Sequence, residues 1–239
     1  NDRLGINNSR CNVANKKIKM KILNLYACLG GNRYKWNEVK EDIEVTAVEL
    51  DPELARLYQE RFPNDTVIIA DAHEYLLNHF KEYDFIWSSP PCPTHSSVRV
   101  TQKNRSSFVH KYPDMKLYEE IILLNKFFDG KYCIENVNPY YKPLIAAQKR
   151  GRHLYWTNFD LPINLGERKL KVKSGERLCM MKNEIGVLSD FHNYDFKKYK
   201  GKQRKDKIAR NLVDYKVGKT IFETMLELEK EDIKQTELF

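Results

Sequence analysis

The segment EVTAVELDPELARLYQERF, residues 44–62, contains the strand-to-helix transition on which the fold prediction rests. EVTAVEL (44–50) is a short apolar run typical of a buried strand. Asp51 is a good helix N-cap, Pro52 suits the first helical position, and the apolar residues after it recur at helical spacing. A strand that leads directly into a capped helix is the first half of a β–α–β unit.

The rest of the first half of the chain repeats this alternation. A helix pattern covers MKLYEEIILLNKFF (115–128), and another covers VGKTIFETMLELEKE (217–231) near the end. Strands that alternate with helices predict an α/β fold with a doubly wound, mostly parallel sheet. In such sheets, ligands bind at the carboxyl ends of the strands. The other predicted strands are KILNLYA (21–27), TVIIA (66–70), DFIWSS (84–89) and KYCIENV (131–137).

Composition divides the chain into four parts. Residues 1–19 are polar and begin with Asn1, so we expect a poorly ordered leader. Residues 20–157 carry the strand–helix alternation. Residues 158–205 contain Gly, Ser, Lys and scattered aromatics, which predicts a small appendage of irregular or β-rich structure. Residues 206–239 return to the first domain through a helix.

The excess positive charge is confined to one quarter of the chain. The net charge is +8, and residues 151–210, with 15 Lys and Arg against 7 Asp and Glu, carry all of it. This is the footprint expected of a nucleic-acid-binding face. A solvated loop region rich in lysine is the alternative that charge alone leaves open.

Cysteine usage and hydropathy bound the class of protein. The five cysteines are an odd number without a CxxC pair, which argues against a disulfide framework or a zinc site. We therefore expect a reducing, cytosolic compartment. No run of about 18 apolar residues is present, so no membrane span is predicted.

The ends of the first three predicted strands favour a nucleoside-containing cofactor. Gly30 and Gly31 follow the first strand and allow a tight turn with close approach to a ligand. Glu49 closes the second strand, where an acidic residue typically holds ribose hydroxyls. Asp71 follows the third strand and suits an adenine contact, with helix N-capping as the alternative. The sequence lacks the motif GxGxxG, which argues against a dinucleotide-binding site.

The fourth strand ends in SSPPCPTHSS, residues 88–97. Prolines stand on both sides of Cys92 and stiffen the backbone around its thiol, at an edge of the sheet where ligands bind. A thiolate held in this way is suited to nucleophilic catalysis. A buried structural cysteine after a strand is the alternative.

The order of the motifs resembles the cytosine-C5 DNA methyltransferase family. The similarity runs over about 21–157 and again over about 205–229. It also implies a Rossmann-like fold and S-adenosylmethionine as cofactor. The matching stretches are LNLYACLGG, VELDPELARLYQERFP, SSPPCPTHS, CIENV, QKRGR (148–152) and ARNLVDYKVGKTIFETM.

The resemblance assigns catalytic roles. Cys92 would add to carbon 6 of cytosine, and Glu135 would protonate N3 while reading the Watson–Crick edge. Arg152 would hold the cytosine O2 and orient Glu135. Arg150, placed on the same face of one strand RGRHLYWT by period-two alternation, would position phosphate or a loop. Asn136 would hold the loop of Cys92.

The resemblance also gives a set of cofactor-binding positions and several departures from the family pattern. Cys28 replaces a usual glycine, Asn24 a usual aspartate, and Pro93 a usual glutamine, while Arg210 stands where glycine is typical. The expected cofactor-binding residues are Tyr26, Ala27, Leu29, Gly30, Gly31, Glu49, Leu50, Asp71, Ala72, Pro91, Leu117 and Asn211.

Two basic regions are expected to meet DNA. The segment after Cys92 would close over the duplex as a mobile loop that fills the gap of a flipped base. Residues 158–205 would form the target-recognition region, and their shortness predicts a short or degenerate target site. Its basic runs have Tyr194 and Tyr199 between them. The candidates in the mobile loop are Arg99, Gln102, Lys103 and Arg105.

The sequence therefore predicts a compact DNA (cytosine-5)-methyltransferase of bacterial or phage type. It would be a cytosolic monomer that acts on double-stranded DNA, and a cognate restriction endonuclease is left open as a partner. An RNA cytosine-5 methyltransferase and a non-catalytic nucleic-acid-binding relative are the alternatives. A nicotinamide oxidoreductase would need a fuller glycine fingerprint and has no use for the Pro-Cys pair.

Overall fold

The computed structural model describes residues 19–96, 112–168 and 177–236. Within these ranges the chain forms one seven-stranded sheet with helices on both faces, which confirms the predicted α/β class. The strands are β1 Met20–Leu25, β2 Ile43–Glu49, β3 Thr66–Ile69, β4 Phe85–Ser88, β5 Lys131–Val137, β6 Gln148–Arg150 and β7 His153–Thr157.

The helices follow the predicted alternation through the first half of the chain. Short 3₁₀ turns cover Asn32–Lys35, Phe80–Glu82 and Phe196–Lys198. The α-helices are α1 Trp36–Val39, α2 Pro52–Arg61, α3 Ala72–His79, α4 Lys116–Phe127, α5 Arg177–His192, α6 Lys205–Asn211 and α7 Tyr215–Thr236. Among the residues that the structure describes, no helix is long and apolar enough to cross a membrane.

The strand order is β3-β2-β1-β4-β5-β7-β6. The first five strands are parallel, and β7 runs antiparallel between β5 and β6. The order reverses between β1 and β4, where Leu25 lies beside Ser88. The loops after these two strands diverge at that point, and the crevice between them is where open α/β sheets bind ligands.

The start of α2 forms as the sequence predicts. The Asp51 side chain accepts hydrogen bonds from the backbone N–H groups of Glu53 and Leu54, at 2.9 and 3.3 Å, and Pro52 is the first helical residue. The side chain therefore satisfies two of the N–H groups that the first turn leaves free. This cap sets the direction in which the chain leaves Glu49 at the edge of the sheet.

Each face of the sheet is covered by an apolar cluster. Trp36 packs between the sheet and α7, with its ring stacked on Phe222 at 5.3 Å. Ile121 and Leu124 of α4 cover the other face together with Leu76 of α3. Burial on both faces explains why the parallel strands read as continuous apolar runs in the sequence.

The prediction of one strand over RGRHLYWT is wrong. β6 ends at Arg150, the chain turns through Gly151 and Arg152, and β7 begins at His153. Gly151 has a φ of 54°, in the left-handed region that glycine adopts without strain. The two arginines therefore flank a hairpin turn and do not share a strand face.

The β content expected for residues 158–205 is also wrong for its described part, 158–168 and 177–205, which contains α5 and a 3₁₀ turn and no strand. This segment packs against α2, where Leu188 and Phe196 share an apolar cluster with Leu54 and Leu57. The leader at residues 1–18 and the DNA-closing loop at 97–111 lie outside the described residues.

Candidate active site

A cleft of about 840 Å³ opens at the switch point of the sheet. One wall is the loop after β1, and the opposite wall is the loop after β4 that carries Cys92. The ends of β5 and the β6–β7 turn form the floor with Glu135 and Arg152, and the segment 210–214 closes one side. The fold therefore brings together Cys92, Glu135 and Arg152, three of the four residues that the sequence analysis expects to be catalytic.

The nucleophile loop is fixed by hydrogen bonds on both sides of Cys92. The Asn136 side-chain amide donates to the Pro90 carbonyl oxygen at 3.0 Å, the loop-holding contact expected for that residue. The N–H groups of His95 and Ser96 both donate to the Cys92 carbonyl oxygen at 3.0 Å. These contacts and the proline rings restrict the backbone that holds the thiol.

The charged groups around Cys92 shift the pKa of its thiol in opposite directions. Burial raises the pKa of Cys92 above its ordinary value, and the Glu135 carboxylate raises it further. The positive charges of Lys207 and Arg152 lower that pKa in part. The thiol is therefore protonated at neutral pH in this state, and any change that neutralises Glu135 favours the thiolate.

The hairpin separates Arg150 from the cleft. Its guanidinium donates to the carbonyl oxygens of Pro162 and Leu161, at 2.7 and 2.5 Å, and so fastens the chain after β7. Gln148 also holds the chain after β7, because its amide nitrogen donates to the Phe159 carbonyl oxygen at 2.8 Å. Of the two hairpin arginines, Arg152, exposed in the turn, is the one that lines the cleft. The site role expected for Arg150 is thus replaced by a role in chain packing.

His153 stands between two carboxylates at the floor of the cleft. Its Nε2 lies 3.4 Å from Glu135 Oε1, and its Nδ1 lies 3.3 Å from Glu167 Oε1. Burial opposes the charged imidazole, but the two carboxylates outweigh burial and raise the pKa of His153. Sequence reasoning missed this group, since His153 directly follows the Gln-x-Arg-x-Arg motif and Glu167 lies in the supposed appendage.

The cofactor loop after β1 has an unusual backbone. Tyr26 and Cys28 have φ values of 54° and 49°, which L-residues rarely adopt. The Cys28 N–H donates to Glu49 Oε2 at 2.8 Å, and the Asp51 N–H donates to Glu49 Oε1 at 2.9 Å. Burial raises the pKa of Glu49. The usual glycine of the family at the Cys28 position is explained by this left-handed conformation.

The glycine pair allows close packing within the protein. Gly30 has a φ of 66°, and a Cβ there would meet the Phe62 ring at 2.4 Å. A Cβ on Gly31 would lie 2.2 Å from the Val213 carbonyl oxygen. The missing side chains thus let the loop approach α2 and the segment after α6. Of the two glycines, Gly31 lines the cleft and Gly30 does not.

The other predicted cofactor residues divide by position. Asp71 is the N-cap of α3, accepting from the backbone N–H groups of His73 and Glu74 at 2.9 and 3.2 Å, so the capping alternative describes its structural role. Leu50 is 67% exposed beside Glu49. Tyr26, Ala27, Pro91 and Asn211 line the cleft, whereas Leu29, Ala72 and Leu117 are buried and outside its lining.

A buried carboxylate connects the strand ends around the cleft. Glu120 of α4 is fully buried and accepts hydrogen bonds from the hydroxyls of Tyr26 at 2.7 Å and Ser88 at 2.6 Å. The Nδ1 atom of His73 lies 3.1 Å from the same carboxylate. One side chain therefore ties the loop after β1, the end of β4 and the start of α3.

A family model described as C-5 cytosine-specific DNA methylase matches residues 20–142, which are 123 of the 239 residues. The chain belongs to this family. Its mostly parallel, Rossmann-like sheet is the one described above. The matched range includes Cys92 and Glu135 and ends before Arg152 and the last motif, whose assignments rest on the motif resemblance.

Solved structures similar to the chain include several methyltransferases. A mutant of Spodoptera frugiperda DNMT2 is 22% identical over 50% of this chain and 36% of its own, with a TM-score of 0.36. A TehB-like SAM-dependent methyltransferase from Corynebacterium glutamicum is 18% identical over 49% and 55%, with a TM-score of 0.31. A protein assigned as a DNA modification methyltransferase, encoded within an E. coli prophage, is 18% identical over 52% and 34%, with a TM-score of 0.34.

These TM-scores are too low for the likenesses to add to the family assignment. The chain spans from about a third to about half of the length of these three structures. None of the curated proteins matches the chain.

Proposed function

We propose that this methyltransferase transfers a methyl group to carbon 5 of a flipped cytosine in double-stranded DNA, through a covalent bond between Cys92 and carbon 6. The observation that carries the proposal is that Cys92, Glu135 and Arg152 line one cleft beside the loop after β1. These residue types are what this reaction needs, and they come from three separate parts of the chain.

Residues that line the cleft, together with Glu49 and Leu50 beside it, fit S-adenosylmethionine, which supplies the activated methyl group when bound. The Glu49 carboxylate at the carboxyl end of β2 is suited to ribose hydroxyls. The exposed Leu50 offers an uncovered apolar side chain for the adenine face. Tyr26, Ala27 and Asn211 line the cleft on the way to Cys92 and would border the methionine part.

Cys92 supplies the nucleophile. Its thiolate adds to carbon 6, and the electrons of the 5,6 double bond move toward N3, so carbon 5 becomes nucleophilic. The pKa of the thiol is raised in the absence of substrate, mainly by burial and by Glu135. Protonation of Glu135 removes its negative charge from beside the sulfur and so lowers the pKa of Cys92. The thiolate therefore forms more readily when Glu135 is in its acid form.

Glu135 and Arg152 act on the base edge. In its acid form, Glu135 donates a proton to N3 as charge builds there, and the same carboxyl group can accept from the 4-amino group. Arg152 is exposed in the hairpin turn, with five N–H donors free to meet the cytosine O2. A base held in this way must leave the duplex, so base flipping is part of the proposal.

An exposed basic surface next to the cleft supports DNA as the substrate. The segment 196–207 presents Lys197, Lys200 and Lys202 to solvent, and Lys207 is near enough to Cys92 to lower its pKa. Tyr199 is buried, and its hydroxyl donates to Asp51 Oδ2 at 2.7 Å, so this ring anchors the segment and does not stack on bases. Phosphate contacts from the lysines would position the duplex without reading its sequence.

The experiment that tests the proposal uses duplex DNA containing 5-fluorocytosine, with S-adenosylmethionine and the purified protein. Fluorine on carbon 5 prevents the final elimination, so an enzyme of this mechanism stays covalently attached. We expect a denaturation-resistant complex with the wild-type protein and none with Cys92→Ser. The matched control Cys133→Ser removes a buried thiol outside the cleft and should still be trapped.

Three results would change the proposal. A complex on fluorinated RNA with none on DNA would move the substrate to RNA. Methyl transfer without a trapped complex would refute the covalent route. Cofactor binding without transfer to either nucleic acid, across a library of mixed sequence, would indicate a non-catalytic relative. The monomeric state and an endonuclease partner stay predictions that this experiment does not address.

A further inference from the structure

The floor of the cleft contains a row of three titratable side chains, Glu167, His153 and Glu135, in line toward the base site. The Glu135 and His153 side chains are only 11% and 18% exposed, and Glu167 is 24% exposed. The His153 nitrogens lie 3.4 Å from Glu135 and 3.3 Å from Glu167. Carboxylates only accept hydrogen bonds, so the ring satisfies both neighbours when both of its nitrogens carry a proton.

We propose that His153 is a positioning residue that supplies Glu135 with the proton for the cytosine N3, and that Glu167 holds its ring for this task. The inference rests on the proposed function, because it assigns a source for the proton in that reaction. The three residues come from β5, β7 and the segment after β7. His153 on β7 pairs with Val137 of β5, two residues after Glu135, so its ring lies beside the strand that carries Glu135.

The step uses Cys92 as its thiolate, the methyl donor of the proposed function, and water as the acceptor of one proton. As the Cys92 sulfur bonds to carbon 6, the 5,6 electron pair moves to N3, which takes the proton from Glu135. The proton on His153 Nε2 replaces it at Glu135 Oε1, and the ring becomes neutral with its second proton still directed at Glu167. After methyl transfer, the N3 proton returns to Glu135, which gives its proton back to His153 Nε2. Water then removes the carbon 5 proton, and the electron pair of that C–H bond re-forms the 5,6 double bond and expels the Cys92 thiolate.

The groups that face His153 keep it in the protonated form. Burial and the charge of Arg152 in the adjacent turn lower the pKa of His153, whereas Glu135 from β5 and Glu167 from the segment after β7 raise it. Tyr155 faces the ring from the same strand. Gly151 leaves the space for Glu167, since a Cβ there would lie 1.8 Å from Glu167 Oε2. The turn is thus built to bring this carboxylate against the ring.

The test compares the pH dependence of kcat for methyl transfer in wild-type protein and His153→Gln. In the wild type, we expect kcat to fall as pH rises through the raised pKa of His153, because the proton source is lost. Without the ring, the proton must reach Glu135 from solvent, and the imidazolium that holds it ready at higher pH is lost. We expect this falling limb to move to lower pH and kcat at pH 7 to drop by about a hundredfold.

Two further variants separate a proton-supplying role from a packing role. Glu167→Gln removes one of the charges that favour the imidazolium, so the falling limb should move to lower pH by less than in His153→Gln. His79→Gln is the matched control, because His79 lies 2.8 Å from Glu82 in a similar pair far from the cleft, and its profile should equal the wild type. NMR titration of the His153 ring should give a pKa above about 6.5 that falls in Glu167→Gln.

The outcomes distinguish this inference from the proposed function. A wild-type protein that transfers no methyl group to any cytosine substrate refutes the function, and the inference with it. A wild-type protein that transfers methyl groups while His153→Gln loses activity equally at every pH leaves the function intact and overturns the inference. A His153 ring that titrates below about 6.5 overturns it as well.

Discussion

Replacement of Glu120 by alanine should destabilise the protein and loosen the cofactor loop at the same time. Glu120 is fully buried, and its carboxylate accepts from the hydroxyls of Ser88 at 2.6 Å and Tyr26 at 2.7 Å, with His73 Nδ1 at 3.1 Å. Alanine removes the acceptor, and the buried neighbours cannot reach another partner without rearrangement.

The magnitude follows from the number of buried groups left unpaired. Ser88 is fully buried and His73 is 4% exposed, and each unsatisfied polar group costs about 1–3 kcal/mol. We therefore expect a loss of about 3 kcal/mol, which for a chain of this size lowers Tm by about 6–12 °C. Tyr26 faces the cleft, where water can replace the lost bond, so its release should appear as weaker cofactor binding by about tenfold, or 1.4 kcal/mol.

Two assays on the same pair of variants check this reasoning. Thermal unfolding gives the change in Tm, and calorimetric titration with S-adenosylhomocysteine gives the change in Kd. Glu119→Ala is the matched control, since its side chain is 58% exposed on the same helix and pairs with the same histidine at 3.1 Å. It should cost under about 1 kcal/mol. Equal effects of the two substitutions would refute the account of the buried carboxylate.

Three further predictions concern pH and packing. Glu135→Gln should move the pH midpoint of Cys92 alkylation, mapped by peptide mass spectrometry, to lower pH, because the carboxylate raises the pKa of that thiol; an unmoved midpoint would contradict this. The pKa of His73 is raised, chiefly by its hydrogen bond to the buried carboxylate, so its stabilisation is complete below about pH 6.5 and is lost as pH rises through the raised pKa. Urea unfolding should show that loss in the wild type and not in His73→Gln. Gly218→Ala places a Cβ 2.2 Å from a backbone oxygen and should cost about 1–3 kcal/mol, whereas Gly186→Ala, with nothing within 4 Å, should be neutral or stabilising.

Local sequence signals were sufficient for the five parallel strands of the sheet. Asp51 and Pro52 predict the start of α2. Apolar runs predict the parallel strands, because these strands are buried on both faces. The hairpin also had a local signal, since a glycine between strand residues, here Gly151, often marks a turn. The single strand predicted there came from giving the alternation of Arg150 and Arg152 priority over that glycine.

The polar groups around the cleft depend on contacts across the chain. Glu120 had a partial signal, because it falls on the apolar face of α4 between Leu117 and Leu124, where a carboxylate must find buried partners. The row of His153, Glu167 and Glu135 had none, as its members come from elements that only the sheet register and the hairpin bring together. Resemblance to a family selected the residues in its motifs and passed over these neighbours.

The anchoring of residues 177–205 to α2 has a consequence for the proposed recognition of a target sequence. Phe196 and Leu188 form one apolar cluster with Leu54 and Leu57, and Tyr199 bonds to Asp51, two residues after Glu49. The segment nearest the expected recognition surface is thus also a structural part of the cofactor side. It cannot be exchanged as a cassette between homologues without redesign of α2, so new specificities in this scaffold have to arise by substitution of its solvent-facing residues.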